Sequence, residues 1–199
     1  MIVILSIILI AGAIFLFVPA SLFVSAKEKA LKIEHYDTAD IAAIVMFVSS
    51  RKEDESLDGL LAFKILTHMT NGKNVEAKRG WLIHGGTIDK EGSSYRNTIE
   101  LITKFKGSGI KLKPAAMDDV FDANESFQLI NDIFNRQLYG TNPRQVVCDL
   151  TSGTKLMSLG MALACAGDRK LIYFPKTEKD DAAQYIHIDT QSLLVTPHA

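Results

Sequence analysis

The chain has little cysteine: two residues in 199, Cys148 and Cys165, each inside an apolar run. That excludes a disulfide framework and reads as two small packed hydrophobes in a reducing compartment. It has no C-x-x-C pair and no histidine cluster of metal-ligand spacing. The five histidines, His35, His68, His84, His187 and His198, are scattered, so neither a structural metal nor a cofactor is expected. It also lacks an excess of charge of either sign. With 22 Lys+Arg against 23 Asp+Glu, there is no general electrostatic case for a long polyanion such as duplex DNA, while a small anion held by a few local groups remains open. The G-x-S-x-G elbow, the Walker A sequence and the G-x-G-x-x-G fingerprint are missing, as are internal repeats and low-complexity segments. The string Arg79-Gly-Trp-Leu-Ile-His84 matches an Arg-x4-His ribonuclease pattern by spacing alone. Its middle reads as a buried strand, and the chain leaves no room for a separate nuclease domain.

What the chain does have, at its start, is a long run without charge. From Ile2 to Ala26 no charged residue occurs, and about 20 apolar residues suffice to cross the hydrocarbon core. The run predicts a transmembrane helix over residues 1–26, kinked at Pro19. Lys27, Lys29 and Lys32 follow it closely, so the positive-inside rule places the N-terminus outside the cytoplasmic membrane and the rest of the chain in the cytoplasm. Val24 and Ala26 resemble a signal-peptide cleavage pattern, but such a peptide has a basic start and an apolar stretch of about 7–15 residues. Residues 27–39 are mixed in charge and read as a short helix or linker, and residues 40–199 as one soluble domain.

That domain alternates between two periods. Residues 41–48 form a continuous β-branched and apolar run, as in a strand buried on both faces of a parallel sheet. Leu57, Leu60, Leu61, Ile65 and Leu66 follow at helical spacing. A second strand over 81–83, a helix over 95–105, a third strand near 110–112 and a long loop come next. Phe127, Ile130, Ile133, Phe134 and Leu138 mark a helix ending near Gly140. Residues 146–150 give a fourth strand, Leu156, Leu159, Leu163 and Ala166 a helix, 171–174 a fifth strand and 185–188 a sixth. Strands alternating with helices in this way predict an α/β fold, a Rossmann-like three-layer sandwich with a mostly parallel sheet.

In such sheets a ligand sits beyond the carboxyl ends of the strands, where strand order reverses, commonly between the first and fourth. The loops ending those two strands carry the candidate ligand-binding residues. Ser49, Ser50 and Arg51 offer hydroxyls and a cation. Thr151, Ser152, Gly153, Thr154 and Lys155 offer hydroxyls, a flexible backbone and a cation at a helix start, where orphan amides favour an anion. His84, ending the second strand, is a further candidate, and no catalytic residue is assigned.

The segment Val147-Cys-Asp-Leu-Thr-Ser-Gly-Thr-Lys155 and the small-residue helix after it resemble the signature of CRISPR-associated Rossmann fold (CARF) sensor domains. Their usual form is an apolar strand, then Asp-x-Thr-Gly-Gly-Thr-Lys, and here Ser152 stands in place of the first Gly. The resemblance implies a domain that dimerises and binds cyclic oligoadenylate, with cyclic tetra-adenylate the expected ligand. It also implies, with the N-terminal span, a membrane effector of antiviral type III CRISPR defence that permeabilises or depolarises the bilayer as a homo-oligomer built from dimers. Any lumen would be lined by small residues such as Ser6, Ala13, Ser21 and Ser25. Two other readings are a membrane-anchored ring nuclease that degrades the messenger, using Lys155 or His84, and a tethered nucleotide-binding regulator.

Overall fold

The structure is a computed structural model describing residues 31–32, 41–52, 54–71, 77–86, 88–166, 170–173 and 186–188. In chain order its elements are β1 (Leu31–Lys32), β2 (Ala43–Phe47), α1 (Leu61–Asn71), β3 (Arg79–Gly85), α2 (Ser94–Lys104), β4 (Lys111–Met117), α3 (Ala123–Asp132), β5 (Val146–Asp149), α4 (Lys155–Ala164), β6 (Lys170–Tyr173) and β7 (Ile186–Ile188). Among the described residues no helix is long and apolar enough to cross a membrane. The span predicted over 1–26 lies outside them.

The strands form one sheet in the order β1-β7-β6-β5-β2-β3-β4. From β6 to β4 every pairing is parallel, whereas β7 runs antiparallel to β6 and β1 antiparallel to β7. The mostly parallel α/β sandwich expected from the sequence is therefore present. β2 lies inside the sheet between β5 and β3, and all five of its residues are apolar and fully buried, which suits a strand covered on both faces. Successive side chains of β2 and its neighbours feed two cores. Val45, Phe47, Trp81, Ile83 and Cys148 pack against Ile130 of α3 and Met157 and Met161 of α4. Ile44, Met46, Leu82, Val147 and Ile172 pack against Ile65, Leu66 and Met69 of α1 and Leu101 of α2.

The elements differ from the sequence expectation where polar surface hides a strand. β4 extends to Met117, well past the 110–112 stretch that reads as strand. It is an edge of the sheet among the described residues, and Lys113 Nζ lies 5.7 Å from the Trp81 ring centre. Lysine and proline both suit an edge and both erase the apolar signal. The first helical stretch is also broken: a 3-10 turn over Leu57–Gly59 precedes α1. α3 passes into a π turn, Ile133–Gln137, which carries Phe134 into the core. Within the 27–39 stretch read as helix or linker, Leu31 and Lys32 instead pair with Ile188 and His187.

Close approach of α3 to α4 depends on Gly160. A Cβ there would fall 2.3 Å from the Ala123 carbonyl oxygen and 2.6 Å from Ser126 Cβ, and the neighbouring Ser126 hydroxyl donates to the Met157 carbonyl at 2.9 Å. Gly160→Ala is expected to destabilise the domain by about 1–3 kcal/mol through overpacking, despite alanine's better helix propensity. Urea unfolding measures this, and a midpoint equal to the parent's would mean that the helices do not meet at this residue.

Candidate functional site

Strand order reverses between β2 and β5. From β2 the chain moves outward through β3 to β4 on one side, and from β5 to β6 on the other. These two strands are hydrogen-bonded neighbours with Met46 opposite Asp149, so the 49–51 and 150–155 loops leave the carboxyl edge of the sheet side by side. This is the crevice in which doubly wound sheets hold ligands.

The loop after β5 is built around Asp149. Its side chain is fully buried, and Oδ1 accepts from the Thr151 amide at 3.2 Å and from the Thr151 hydroxyl. Oδ2 has no partner among the described residues. Burial pushes the carboxyl up to about 6, with the Thr151 hydrogen bonds opposing. Ser152 follows, 4 % exposed, with its hydroxyl also lacking a partner among the described residues. Gly153 turns the chain with φ of 112°, a region closed to most side chains, and a Cβ there would press on the Phe47 ring at 3.0 Å. Thr154 then caps α4. Its hydroxyl accepts from the Met157 amide at 3.1 Å and donates to the Val120 carbonyl at 2.6 Å, tying the loop to the segment between β4 and α3. Thr154 thus fastens the loop. Lys155 is exposed in the first turn of α4, beside the unpaired amides that favour an anion. Past it, Leu156, Leu159 and Leu163 form an exposed apolar line along the helix.

The loop after β2 presents Ser50 openly and Ser49 partly, but it does not leave Arg51 free. The Arg51 side chain is 7 % exposed, and its Nη2 donates to Glu91 and Glu100, each at 2.8 Å. Burial alone would weaken the guanidinium charge, and the two carboxylates more than offset that. The amide of Arg51 donates to the Gly92 carbonyl at 2.8 Å, while Asn97 of α2, fully buried, donates to the Ser49 carbonyl at 2.8 Å and to the Gly92 carbonyl at 3.2 Å.

His84 is 3 % exposed, and its ring meets Tyr95 of α2 edge-on at 5.2 Å. Its Nδ1 lies 2.9 Å from the Gly86 carbonyl and donates to it in the neutral ring, which burial favours by lowering the pKa. The structure therefore brings Ser49, Ser50 and Thr151 through Lys155 to one edge of the sheet, with Arg51 beside them in the hold of two glutamates. His84 is packed inside. The Arg79…His84 pattern is also pulled apart, because the two residues stand near opposite ends of an extended strand, about 16 Å apart at 3.3 Å per residue. Arg79 bonds Thr141 at 2.6 Å instead. No three His, Cys, Asp or Glu side chains come together as a metal set among the described residues.

Asn97, Glu91 and Glu100 are the site's neighbours that sequence reasoning missed. Asn97 left a trace, since it shares the buried face of α2 with Leu101, four residues on, and a polar residue on such a face calls for a bonding role. The glutamates left none, being 40 and 49 residues from Arg51.

No protein-family model and no curated protein matches the chain. Solved structures do resemble it. One is a type III CRISPR defence DNA nuclease activated by cyclic oligoadenylate, 16 % identical with a TM-score of 0.46, over 72 % of this chain and 19 % of that one. Another is Can2 from Sulfobacillus thermosulfidooxidans in complex with cyclic tetra-adenylate, 10 % identical with a TM-score of 0.47, over 67 % and 32 %. A third is Enterococcus italicus Csm6 bound to cyclic hexa-2'-fluoro-hexa-dAMP, 12 % identical with a TM-score of 0.49, over 77 % and 43 %. The chain thus spans less than half the length of each protein it resembles here.

Proposed function

We propose that the chain is a sensor of cyclic oligoadenylate, cyclic tetra-adenylate in the first instance, that acts on the cytoplasmic membrane through its N-terminal segment. The observation that carries the reading is the 151–155 loop at the β2/β5 reversal. There a buried Ser152 hydroxyl with no partner among the described residues, a glycine held at positive φ and the exposed Lys155 at a helix start offer an anion both donors and charge. The Asp-Leu-Thr-Ser-Gly-Thr-Lys segment that forms this loop resembles the ligand loop of CARF sensor domains, and that resemblance supplies the identity of the anion.

A four-phosphate ring has internal symmetry and more charge than one lysine answers. Both fit a two-fold pair of chains that presents two copies of the loop. The exposed line of Leu156, Leu159 and Leu163 begins directly after Lys155 and is the face a second copy would cover. With residues 1–26 in the bilayer, dimers of this kind would assemble into the oligomer that permeabilises or depolarises the membrane. The output is then the membrane segment and not a chemical step.

A binding screen of the 199-residue chain against cyclic tri-, tetra- and hexa-adenylate tests the ligand. Liposomes holding the protein and a trapped dye test the output. Dye release at saturating messenger is expected, and a chain lacking residues 1–26 is expected to bind messenger while neither associating with membranes nor releasing dye. Confirmed binding with unchanged permeability and potential would remove the membrane-effector reading. Cleavage of labelled messenger in the same sample would replace it with a ring nuclease.

A further inference from the structure

Arg51 stands at the carboxyl end of β2, on the edge where an anion in the crevice would approach, yet acidic residues already surround it. Its Nη2 carries both Glu91 and Glu100. Glu100 also accepts from Arg96 Nε at 3.2 Å, and Arg96 reaches Asp89 at 3.5 Å, so three carboxylates surround two guanidiniums. Meanwhile Arg51 Nε and Nη1 are buried with no acceptor among the described residues. A guanidinium with one crowded nitrogen and two unanswered ones is poorly matched by its present partners. A phosphate, whose non-bridging oxygens can accept side by side from two guanidinium nitrogens, answers such a group better than carboxylates that both crowd one nitrogen.

The two glutamates are not equivalent. Glu100 belongs to α2 and is shared with Arg96. Glu91 lies in the loop between β3 and α2, is 53 % exposed, and among the described residues bonds Arg51 alone. The loop does not need that bond to stay in place. The Gly92 carbonyl is held by the Arg51 amide and by Asn97, and Gly92 itself, at φ of 74°, lets the two loops touch where a Cβ would fall 2.5 Å from the Arg51 carbonyl oxygen.

We propose that Glu91 is a built-in competitor for the ligand's phosphate: it occupies Arg51 in the empty site and must yield it when the anion binds, which sets the affinity and salt dependence of the site. For the identity of the anion this rests on the cyclic oligoadenylate reading, while the competition itself applies to any phosphate. The loop that carries Glu91 is released from Arg51's side chain on binding, although its backbone ties to Arg51 and Asn97 remain.

Calorimetry on the 199-residue chain with two probes, cyclic tetra-adenylate and inorganic triphosphate, tests this. Glu91→Gln and Glu91→Ala are each expected to bind both probes about threefold to tenfold more tightly than the parent, with a steeper fall in affinity as salt rises. Asp132→Asn makes the same charge change on α3, where Asp132 pairs only with Arg136 at 3.6 Å among the described residues, and is expected to leave both affinities within error. Affinities for both probes in the Glu91 variants that equal or fall below the parent's, or a gain matched by Asp132→Asn, would overturn the proposal. If no variant binds cyclic tetra-adenylate but the Glu91 variants still gain for triphosphate, the competitor stands and the identity of the messenger falls.

Discussion

Replacing Lys155 with alanine is expected to weaken cyclic tetra-adenylate binding by about two orders of magnitude while leaving the unfolding midpoint unchanged. Lys155 is exposed and has no ion-pair partner among the described residues, so the fold loses little with it. A charge-assisted contact contributes about 1.5–3 kcal/mol. Two chains around one ring would lose it twice, so about 3 kcal/mol is the lower end of the combined loss, or roughly a hundredfold in affinity. Thr154→Ala serves as the contrast. That hydroxyl caps α4 and reaches Val120, so its loss is expected to lower stability by about 1 kcal/mol, and any fall in its affinity must be read against its unfolding curve. Calorimetry that returns the parent's affinity for Lys155→Ala would take the loop out of the site.

The second large effect is a pH dependence centred on Asp149. Its carboxyl is raised from 3.8 to about 6 in the folded chain because it is buried, the Thr151 hydrogen bonds working the other way. Below 3.8 it is protonated in both folded and unfolded chains and imposes no penalty. As pH rises through 3.8 the unfolded chain ionises first, so stability falls, and the loss is complete once pH passes 6. The shift corresponds to about 3 kcal/mol. In the Asp149→Asn variant the Oδ1 that serves Thr151 is kept and the titration is removed. The unfolded chain is already partly ionised at pH 4, so the stability difference between parent and variant is expected to move by about 2.4 kcal/mol in the variant's favour between pH 4 and pH 8. Urea unfolding at both values measures it, and other titrating groups cancel because both proteins share them. A difference that stays constant with pH would mean that the carboxyl is not buried as charge.

The fold was legible where apolar content decides it. The 41–48 run became β2 and 146–150 became β5, because strands covered on both faces carry no polar positions to disguise them. β4 was legible only to Leu112, since Lys113 and Pro114 belong to a strand that no further described strand covers, and neither carries the apolar signal. β1 was invisible: two residues inside a charged stretch carry no period, and their pairing with β7 is set by the end of the chain some 150 residues away. The same division runs through the site. Residues 151–155 could be read because one loop contains them all, and their relation to 49–51 because the reversal point follows from strand order. The state of Arg51 could not be, because Glu91 and Glu100 reach it only through the folding of β3 and α2 against β2.

The pairing of β1 with β7 also sets an upper limit on the distance between the sheet and the proposed membrane span. If residues 1–26 span the bilayer as proposed, only Lys27, Glu28, Lys29 and Ala30 separate that segment from the sheet. An extended chain covers at most about 3.5 Å per residue, so the edge of the sheet lies within about 18 Å of the end of the span. A domain moored that closely cannot tumble freely above the bilayer. In a membrane-anchored dimer of the kind proposed, rotation of one protomer against its partner would reach the bilayer through β1, a strand of two residues paired only with β7 among the described residues.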